Sequence, residues 1–111
     1  GMAQITLVGL PTCDTCKKAR KALEADGHVV TVRDLRADRL SEDEWADLAA
    51  EFGEGLVNRK STTWRGLSDW LRESEPEVQL AAHPTLMKRP LLTDGTRRTL
   101  GWSDEIRAAW A

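Results

Sequence analysis

Apolar and polar positions in the first third of the chain predict a strand, a helix and a second strand. Residues 4–10 are mostly apolar, include β-branched side chains and end at Pro11, which is typical of a buried strand. Residues 14–26 are rich in helix formers and stop before Gly27, a common helix terminator. Residues 28–34 carry Val, Val, Thr and Val in succession and predict a second strand. Two strands joined through a helix are expected to be parallel.

The middle of the chain predicts three helices. Ser41 and Glu44 form a capping-box pattern ahead of apolar residues at helical spacing. A second helix is expected to follow Ser61 or Thr62, and a short third helix is expected over 75–82. The expected inward-facing residues of the first two are Trp45, Leu48, Ala49, Phe52, Trp64, Leu67 and Leu71. Trp70 lies off that stripe and is expected to be exposed, and His83, just before Pro84, is expected to end the third helix rather than act as a base.

The last third returns to strands. Residues 91–93 and 98–100 flank Asp94 and Gly95, a pair typical of a hairpin turn. Ser103 is expected to cap a final helix. The residues of that helix expected to face inward are Ile106, Ala109 and Trp110.

This order of elements predicts a fold class. A βαβ unit followed by a hairpin and a helix is the thioredoxin arrangement, and a C-x-x-C pair beside a βαβ unit supports it. We expect an α/β protein with a four-stranded mixed sheet and a helical insertion, 41–82, between the βαβ and ββα halves. The length of 111 residues fits one domain over 1–111.

Charge and hydropathy narrow the class of protein. Lys and Arg number 16 against 18 Asp and Glu, a formal charge of −2, which argues against nucleic-acid binding through a strongly basic surface. A small local basic patch is compatible with this balance. No apolar run reaches the length of a membrane span, and no signal-peptide pattern begins the chain, so a soluble cytoplasmic protein without membrane contact is expected. Gly1 before Met2 is typical of a remnant of tag removal.

The two cysteines, Cys13 and Cys16, are the main candidates for chemistry. They are too few and too close for a disulfide scaffold. A structural zinc site would need four ligands, and His28 and His83 do not have zinc-finger spacing. Simple burial accounts for Cys16, which falls on the apolar side of the predicted helix, but not for Cys13, which falls in a turn.

The position of Cys13 just before a helix favours its thiolate form, because free N–H groups and the positive end of the helix dipole meet there. Lys17, one turn later, adds a positive charge, and Asp14 opposes it. Cys13 is therefore the predicted attacking thiol and Cys16 the resolving thiol. Alternatively, Lys17 belongs to an ordinary solvated helix face, together with Lys18, Arg20 and Lys21, and has no role in the chemistry.

Three segments carry a family resemblance: Cys-Asp-Thr-Cys-Lys-Lys-Ala-Arg at 13–20, Asn-Arg-Lys-Ser-Thr-Thr-Trp-Arg at 58–65 and His-Pro-Thr-Leu-Met-Lys-Arg-Pro-Leu at 83–91. In this order and spacing they resemble the arsenate reductase ArsC family, which includes the transcription regulator Spx. The run 62–65 is most similar to a branch of small ArsC-like reductases. The resemblance implies a thioredoxin fold with a helical insertion.

The resemblance also implies site residues. Cys13 matches the catalytic thiol, Arg59 and Arg89 match arginines that bind the anionic substrate, and Pro90 matches a cis-proline beside the site. Guanidinium groups suit this role because they bind tetrahedral oxyanions and stabilise thiolates. The predicted substrate-binding residues are Arg59, Arg89, Pro90 and Lys17, and the two arginines are also predicted to be catalytic, together with Cys13 and Cys16. Arg59 and Arg89 also fit surface ion pairs.

The reaction that the resemblance implies is a thiol-dependent reduction. Cys13 would attack an oxyanion or a disulfide, with Cys16 or glutathione resolving the product, glutathione or glutaredoxin as external reductant and no bound cofactor or metal. Arsenate reductases of this type carry a further arginine near 100–102, where this chain has Leu-Gly-Trp. Arg97 or Arg98 is the alternative source, and at most one of them points inward from a strand.

The family resemblance also implies a second possible function. Resemblance to Spx implies a redox-sensing regulator that binds RNA polymerase without contacting DNA itself. The C-x-x-C pair would then be its switch.

Overall fold

The computed structural model describes residues 2–111, which contain four strands and six helices; Gly1 lies outside them. The strands are β1 Gln4–Gly9, β2 Val29–Asp34, β3 Leu91–Thr93 and β4 Arg98–Leu100. The helices are α1 Asp14–Ala25, α2 Glu42–Phe52, α3 Thr62–Arg65, α4 Asp69–Arg72, α5 Pro76–Ala82 and α6 Asp104–Ala109. Single turns of 3-10 helix cover Gly53–Leu56 and Pro84–Leu86.

The strands form one mixed sheet in the order β2-β1-β3-β4. β1 and β2 are parallel, with Ile5 opposite Val30, while β1 with β3 and β3 with β4 are antiparallel. The predicted parallel pair and C-terminal hairpin are therefore confirmed. With its helices, this sheet is an α/β, thioredoxin-like fold, as predicted.

The chain divides into two compact units. The first comprises the residues up to Asp38 together with Arg89–Ala111, and it contains the sheet, α1 and α6. The second, Arg39–Lys88, contains α2 to α5 and includes the predicted insertion 41–82. The organisation of 1–111 as a single domain stays a prediction.

The core of the first unit forms where α1 packs on the sheet. Its buried residues are Ile5, Leu7, Cys16, Ala19, Leu23, Val30, Leu92 and Trp110. At the surface, Arg107 of α6 donates two hydrogen bonds, of 2.9 and 2.8 Å, to the carboxylate of Asp26 just after α1. This paired contact links α6 to the end of α1.

Trp110 anchors the chain end beside the hairpin. Its Nε1 donates to Thr99 Oγ1 at 2.8 Å, and the Arg97 guanidinium lies 3.9 Å from the ring centroid. Arg97 also donates to the carbonyl of Ala109. The prediction that Ala109 faces inward is wrong: Ala109 is exposed, and the next residue, Trp110, which lies about 100° further around the helix, is buried.

The second unit begins with the predicted capping box. Ser41 Oγ accepts from the Glu44 N–H at 3.1 Å, and Glu44 Oε1 accepts from the Ser41 N–H at 2.9 Å. Trp45 and Leu48 are buried as predicted. His83 ends α5, and its N–H donates to the carbonyl of Gln79 at 2.9 Å.

The prediction of one continuous helix after Ser61 is wrong, because α3 and α4 are separate short helices. Gly66 lies where the first ends, and glycine is a poor helix former. Ser68 then starts the second by accepting from the Leu71 N–H at 3.2 Å. Trp70 is 71% exposed, which confirms the prediction for that residue.

Candidate thiol site

A tight turn at the end of β1 positions Cys13. The Cys13 N–H donates to the carbonyl of Leu10 at 3.1 Å, and the turn includes Pro11, whose ring restricts its backbone. Cys13 has extended backbone angles and directly precedes α1, and its carbonyl accepts from the Lys17 N–H at 3.0 Å. Its side chain is half-buried at the edge of the core. A thiol in this position is held in place and still reachable from solvent.

The surroundings of Cys13 favour its thiolate. Partial burial raises the pKa of the thiol, but the nearby N–H of Cys16, the Cys16 thiol and the Arg89 guanidinium outweigh burial and lower the pKa below its ordinary value. The first-turn N–H groups make no well-aligned capping hydrogen bond to the sulfur. The cation that contributes most is Arg89 rather than the predicted Lys17, which is exposed on α1.

Cys16 has the opposite character. It is 3% exposed and lies within the core. Its pKa is raised to about 11, mainly by burial and also by proximity to Cys13. The N–H of Leu10 and the charge of Arg89 offset part of this rise. Cys16 is therefore a protonated thiol at neutral pH, and it donates toward the Cys13 sulfur.

Gly9 is a site residue that the sequence analysis missed. A Cβ placed on Gly9 would lie 2.5 Å from Cys16 Sγ, so only glycine leaves room for the sulfur at the end of β1. The signal was present in the sequence, because a glycine within a strand pattern indicates close approach of another group. The Leu10 N–H, the next backbone group, faces the same sulfur.

The structure brings Arg89 and Pro90 into the first unit with the two cysteines. Arg89 is half-buried and interacts with Cys13 through both hydrogen bonding and charge. The Arg89–Pro90 peptide bond is cis, as the resemblance implies. The Pro90 carbonyl accepts from the Gly101 N–H at 2.9 Å, which ties this segment to the end of β4.

The other predicted arginines have different surroundings. Arg59 lies in the second unit, where its Nη2 is 3.2 Å from Glu54 Oε1 and its guanidinium is 5.2 Å from the Trp64 ring centroid. Arg97 is held by its contacts at the end of α6. Arg98 is half-buried on β4, and strand alternation directs it to the face of the sheet opposite Thr99.

Two further observations concern ligands and membranes. Among residues 2–111, no three His, Cys, Asp or Glu side chains are grouped as a metal site would require. Within the same residues, every helix is too short or too polar to cross a membrane.

Replacing Arg89 with glutamine is expected to raise the pKa of Cys13, because the guanidinium favours the thiolate through hydrogen bonding and charge. Iodoacetamide alkylation of Cys13, followed from pH 5 to 10, should show a midpoint at higher pH and a several-fold slower rate at pH 7. Arg89→Lys should lie between the wild type and Arg89→Gln. Exposed Arg36→Gln is the control, and a midpoint equally unchanged in Arg36→Gln and Arg89→Gln would contradict the assignment.

The fold and the two thiols define a class: a protein of thioredoxin-like fold with a thiolate-favouring cysteine ahead of its first helix and a protonated cysteine one turn later. More specifically, the chain belongs to the ArsC family, whose model matches residues 8–109. The solved structure of the protein YffB superposes with a TM-score of 0.85 and 30% identity, covering 96% of this chain and 97% of that one.

Two other relatives have names that refer to an enzyme and to a regulator. An arsenate reductase (ArsC) related protein from Brucella melitensis has a solution structure with a TM-score of 0.78 and 29% identity, covering 96% of this chain and 92% of that one. The global transcriptional regulator Spx of Streptococcus mutans is 32% identical over 111 residues, covering 94% of this chain and 81% of the regulator. The comparisons thus include relatives named for enzymes and for regulators.

Proposed function

We propose that this ArsC-family protein is a thiol-dependent reductase in which Cys13 attacks a disulfide or an oxyanion. The observation that carries this proposal is the contrast between the two thiols. Cys13 is reachable and has a lowered pKa beside Arg89, whereas Cys16 is buried and has a pKa of about 11. A thiolate is the nucleophile in exchange chemistry, so the two cysteines have distinct roles from the start.

With a disulfide substrate, the Cys13 thiolate attacks one sulfur. A bond forms between that sulfur and Cys13 while the substrate's sulfur–sulfur bond breaks, and the leaving thiolate departs with the electron pair and takes up a proton. Cys13 is oxidised to a mixed disulfide and one half of the substrate is reduced. A second thiol then attacks the mixed disulfide and releases the other half.

With an oxyanion such as arsenate, the Cys13 thiolate forms a bond to the central atom, and one oxygen of the oxyanion is protonated and leaves as water. A second thiol then attacks the Cys13 sulfur. A sulfur–sulfur bond forms, and the two electrons of the bond to the central atom stay with that atom. Arsenate would leave as arsenite, reduced by two electrons, and the two thiols that supply those electrons would be oxidised to one disulfide.

The contacts of Cys16 suit it to act second. Apart from burial, proximity to the Cys13 sulfur raises its pKa. Once Cys13 is bonded to substrate it carries no negative charge, so that contribution is lost and Cys16 ionises more readily. The coupled pair would therefore act in sequence, with glutathione as the alternative resolving thiol.

The remaining roles follow from charge and position. Arg89 would bind the anionic end of the substrate and stabilise the Cys13 thiolate. We further propose that Arg59, Pro90 and Lys17 contribute to substrate binding, as the family resemblance implies. Glutathione or glutaredoxin would be the external reductant, and a reducing cytoplasm would keep both thiols available.

The test is coupled NADPH oxidation with glutathione and glutathione reductase in excess and Cys13→Ser as the blank. Arsenate is supplied in one series, with glutaredoxin added; a neutral disulfide is supplied in a second series, without glutaredoxin. Turnover above the blank in either series supports a reductase and identifies the substrate class. Rates equal to the blank in both series would contradict the proposal.

A regulator resembling Spx is the second candidate, and the 32% identity to Spx over 94% of the chain favours it. In that role a Cys13–Cys16 disulfide would alter affinity for RNA polymerase. Purified polymerase is tested for binding to the reduced protein and to the diamide-treated protein. Binding that responds to oxidation in wild type but not in Cys13→Ser supports the regulator, and absence of binding in both states excludes it.

A further inference from the structure

We propose that Lys17 and Lys21 form a docking row on α1 for small disulfides that carry carboxylates, so that Cys13 reacts preferentially with anionic partners. This inference rests on the proposed exchange chemistry at Cys13 and adds a substrate class to it. Both lysines are exposed, and they lie on the helix that begins directly after the reactive thiol.

Helix geometry aligns the row with Cys13. Lys17 comes four residues after Cys13 and Lys21 four residues after Lys17, so each pair lies on neighbouring turns of one face. At 1.5 Å per residue the lysines are about 6 Å and about 12 Å along the helix axis from Cys13. A disulfide that Cys13 attacks can carry a carboxylate a few ångströms from its own sulfur atoms. That carboxylate then lies within reach of a flexible lysine side chain.

The local charge has the sign that such a partner requires. On this side of α1, Arg20 and Glu24 form an ion pair of 3.6 Å and Asp14 offsets one of the two lysines, which leaves one positive charge in excess there. This excess is positive although the whole chain has a formal charge of −2. A positive face beside a reactive group raises the local concentration of anions and speeds their encounter.

The lysine row acts on the partner rather than on the thiol. The cation that contributes most to lowering the pKa of Cys13 is Arg89. Removing the lysine charges should therefore leave the alkylation midpoint of Cys13 unchanged. The effect should instead depend on the charge of the disulfide, which separates docking from activation.

Three disulfides of similar size and different charge provide the test: dithiodipropionate (dianionic), 2-hydroxyethyl disulfide (neutral) and cystamine (dicationic). The rate of mixed-disulfide formation at Cys13 is measured by quenching and intact mass at pH 7 and low ionic strength. In Lys17→Gln/Lys21→Gln the rate with the dianion should fall roughly fivefold and the rate with cystamine should rise. The rate with the neutral disulfide should fall much less than the rate with the dianion, and 0.5 M salt should remove the charge-dependent differences between the variants.

Lys18→Gln is the matched control for Lys17→Gln. Both changes remove one positive charge from adjacent exposed positions, but Lys18 lies about 140° around the helix from Cys13 and Lys17 about 40°. Equal effects of these two changes on the dianion rate would overturn the docking row, as would equal losses with all three disulfides. Failure of the neutral disulfide to react with Cys13 in wild type would contradict the proposed exchange chemistry itself.

Discussion

Replacing Cys13 with serine is expected to reduce disulfide exchange and alkylation by iodoacetamide by a factor on the order of 10³ or more. A serine hydroxyl stays protonated at neutral pH, whereas the environment of Cys13 favours the ionised thiol. The loss of activity should come with little loss of stability, within about 1 kcal/mol of unfolding free energy, because the side chain is half-buried and serine is close to it in size. Urea unfolding monitored by tryptophan fluorescence and exchange with 2-hydroxyethyl disulfide measure the two quantities.

Cys16→Ala is the matched control for this change. It removes the buried thiol and should leave Cys13 as a reactive group, somewhat slower because the Cys16 thiol no longer donates to it. A mixed disulfide at Cys13 should then accumulate, since the internal resolving thiol is gone. If Cys13→Ser unfolds the protein or Cys16→Ala alone abolishes alkylation, the assignment of roles to the two thiols is wrong.

Replacing Gly9 with alanine is expected to destabilise the protein by about 1–3 kcal/mol, although alanine is a conservative change in most strands. The new Cβ would lie 2.5 Å from Cys16 Sγ and 3.3 Å from Leu7 Cδ2, and Cys16 is enclosed by the core. Either the sulfur or the end of β1 must move. The backbone of Gly9 has an ordinary negative φ, so steric contact with the sulfur is the main cause expected.

A double-mutant cycle separates this contact from general effects on β1. Cys16→Ala removes the sulfur, so Gly9→Ala should cost less in that background, and the two changes should be non-additive by about 1 kcal/mol or more. The measurement is the urea midpoint and slope for wild type, both single variants and the double variant. Additive effects would show that Gly9 does not accommodate Cys16.

Local patterns were sufficient to predict most elements of the first unit. The apolar run before Pro11, the helix that stops before Gly27 and the turn at Asp94 and Gly95 each specify their own conformation through backbone preferences. Pairing of the hairpin with β1, antiparallel to it, completes the mixed sheet, and the prediction of that sheet relied on the order of the elements. The division into two short helices after Ser61 is not predicted by the stripe of Trp64, Leu67 and Leu71, because that stripe keeps helical spacing across the break. The break itself comes from local signals, the poor helix former Gly66 and the N-cap Ser68.

The site depends more on tertiary structure. The sequence placed Cys13 ahead of a helix, but Lys17 is the nearest cation along the chain, and Arg89 is the one that contributes most to its pKa. Arg89 is far away in sequence and reaches Cys13 only through the fold, so charge patterning along α1 could not identify it. The contact between Gly9 and Cys16 likewise depends on how closely the helix packs on β1, which spacing along the chain does not determine.

The most direct test of the roles of the two cysteines is the pH dependence of iodoacetamide alkylation of each one in the wild-type protein, resolved by peptide mass spectrometry from pH 5 to 10. Cys13 is expected to be modified first, with a midpoint below the ordinary thiol value of 9.0. Cys16, buried and with a pKa raised to about 11, should stay unmodified over most of that range. Equal alkylation of the two cysteines, or a midpoint for Cys13 at or above 9.0, would contradict the assignment of Cys13 as the nucleophile.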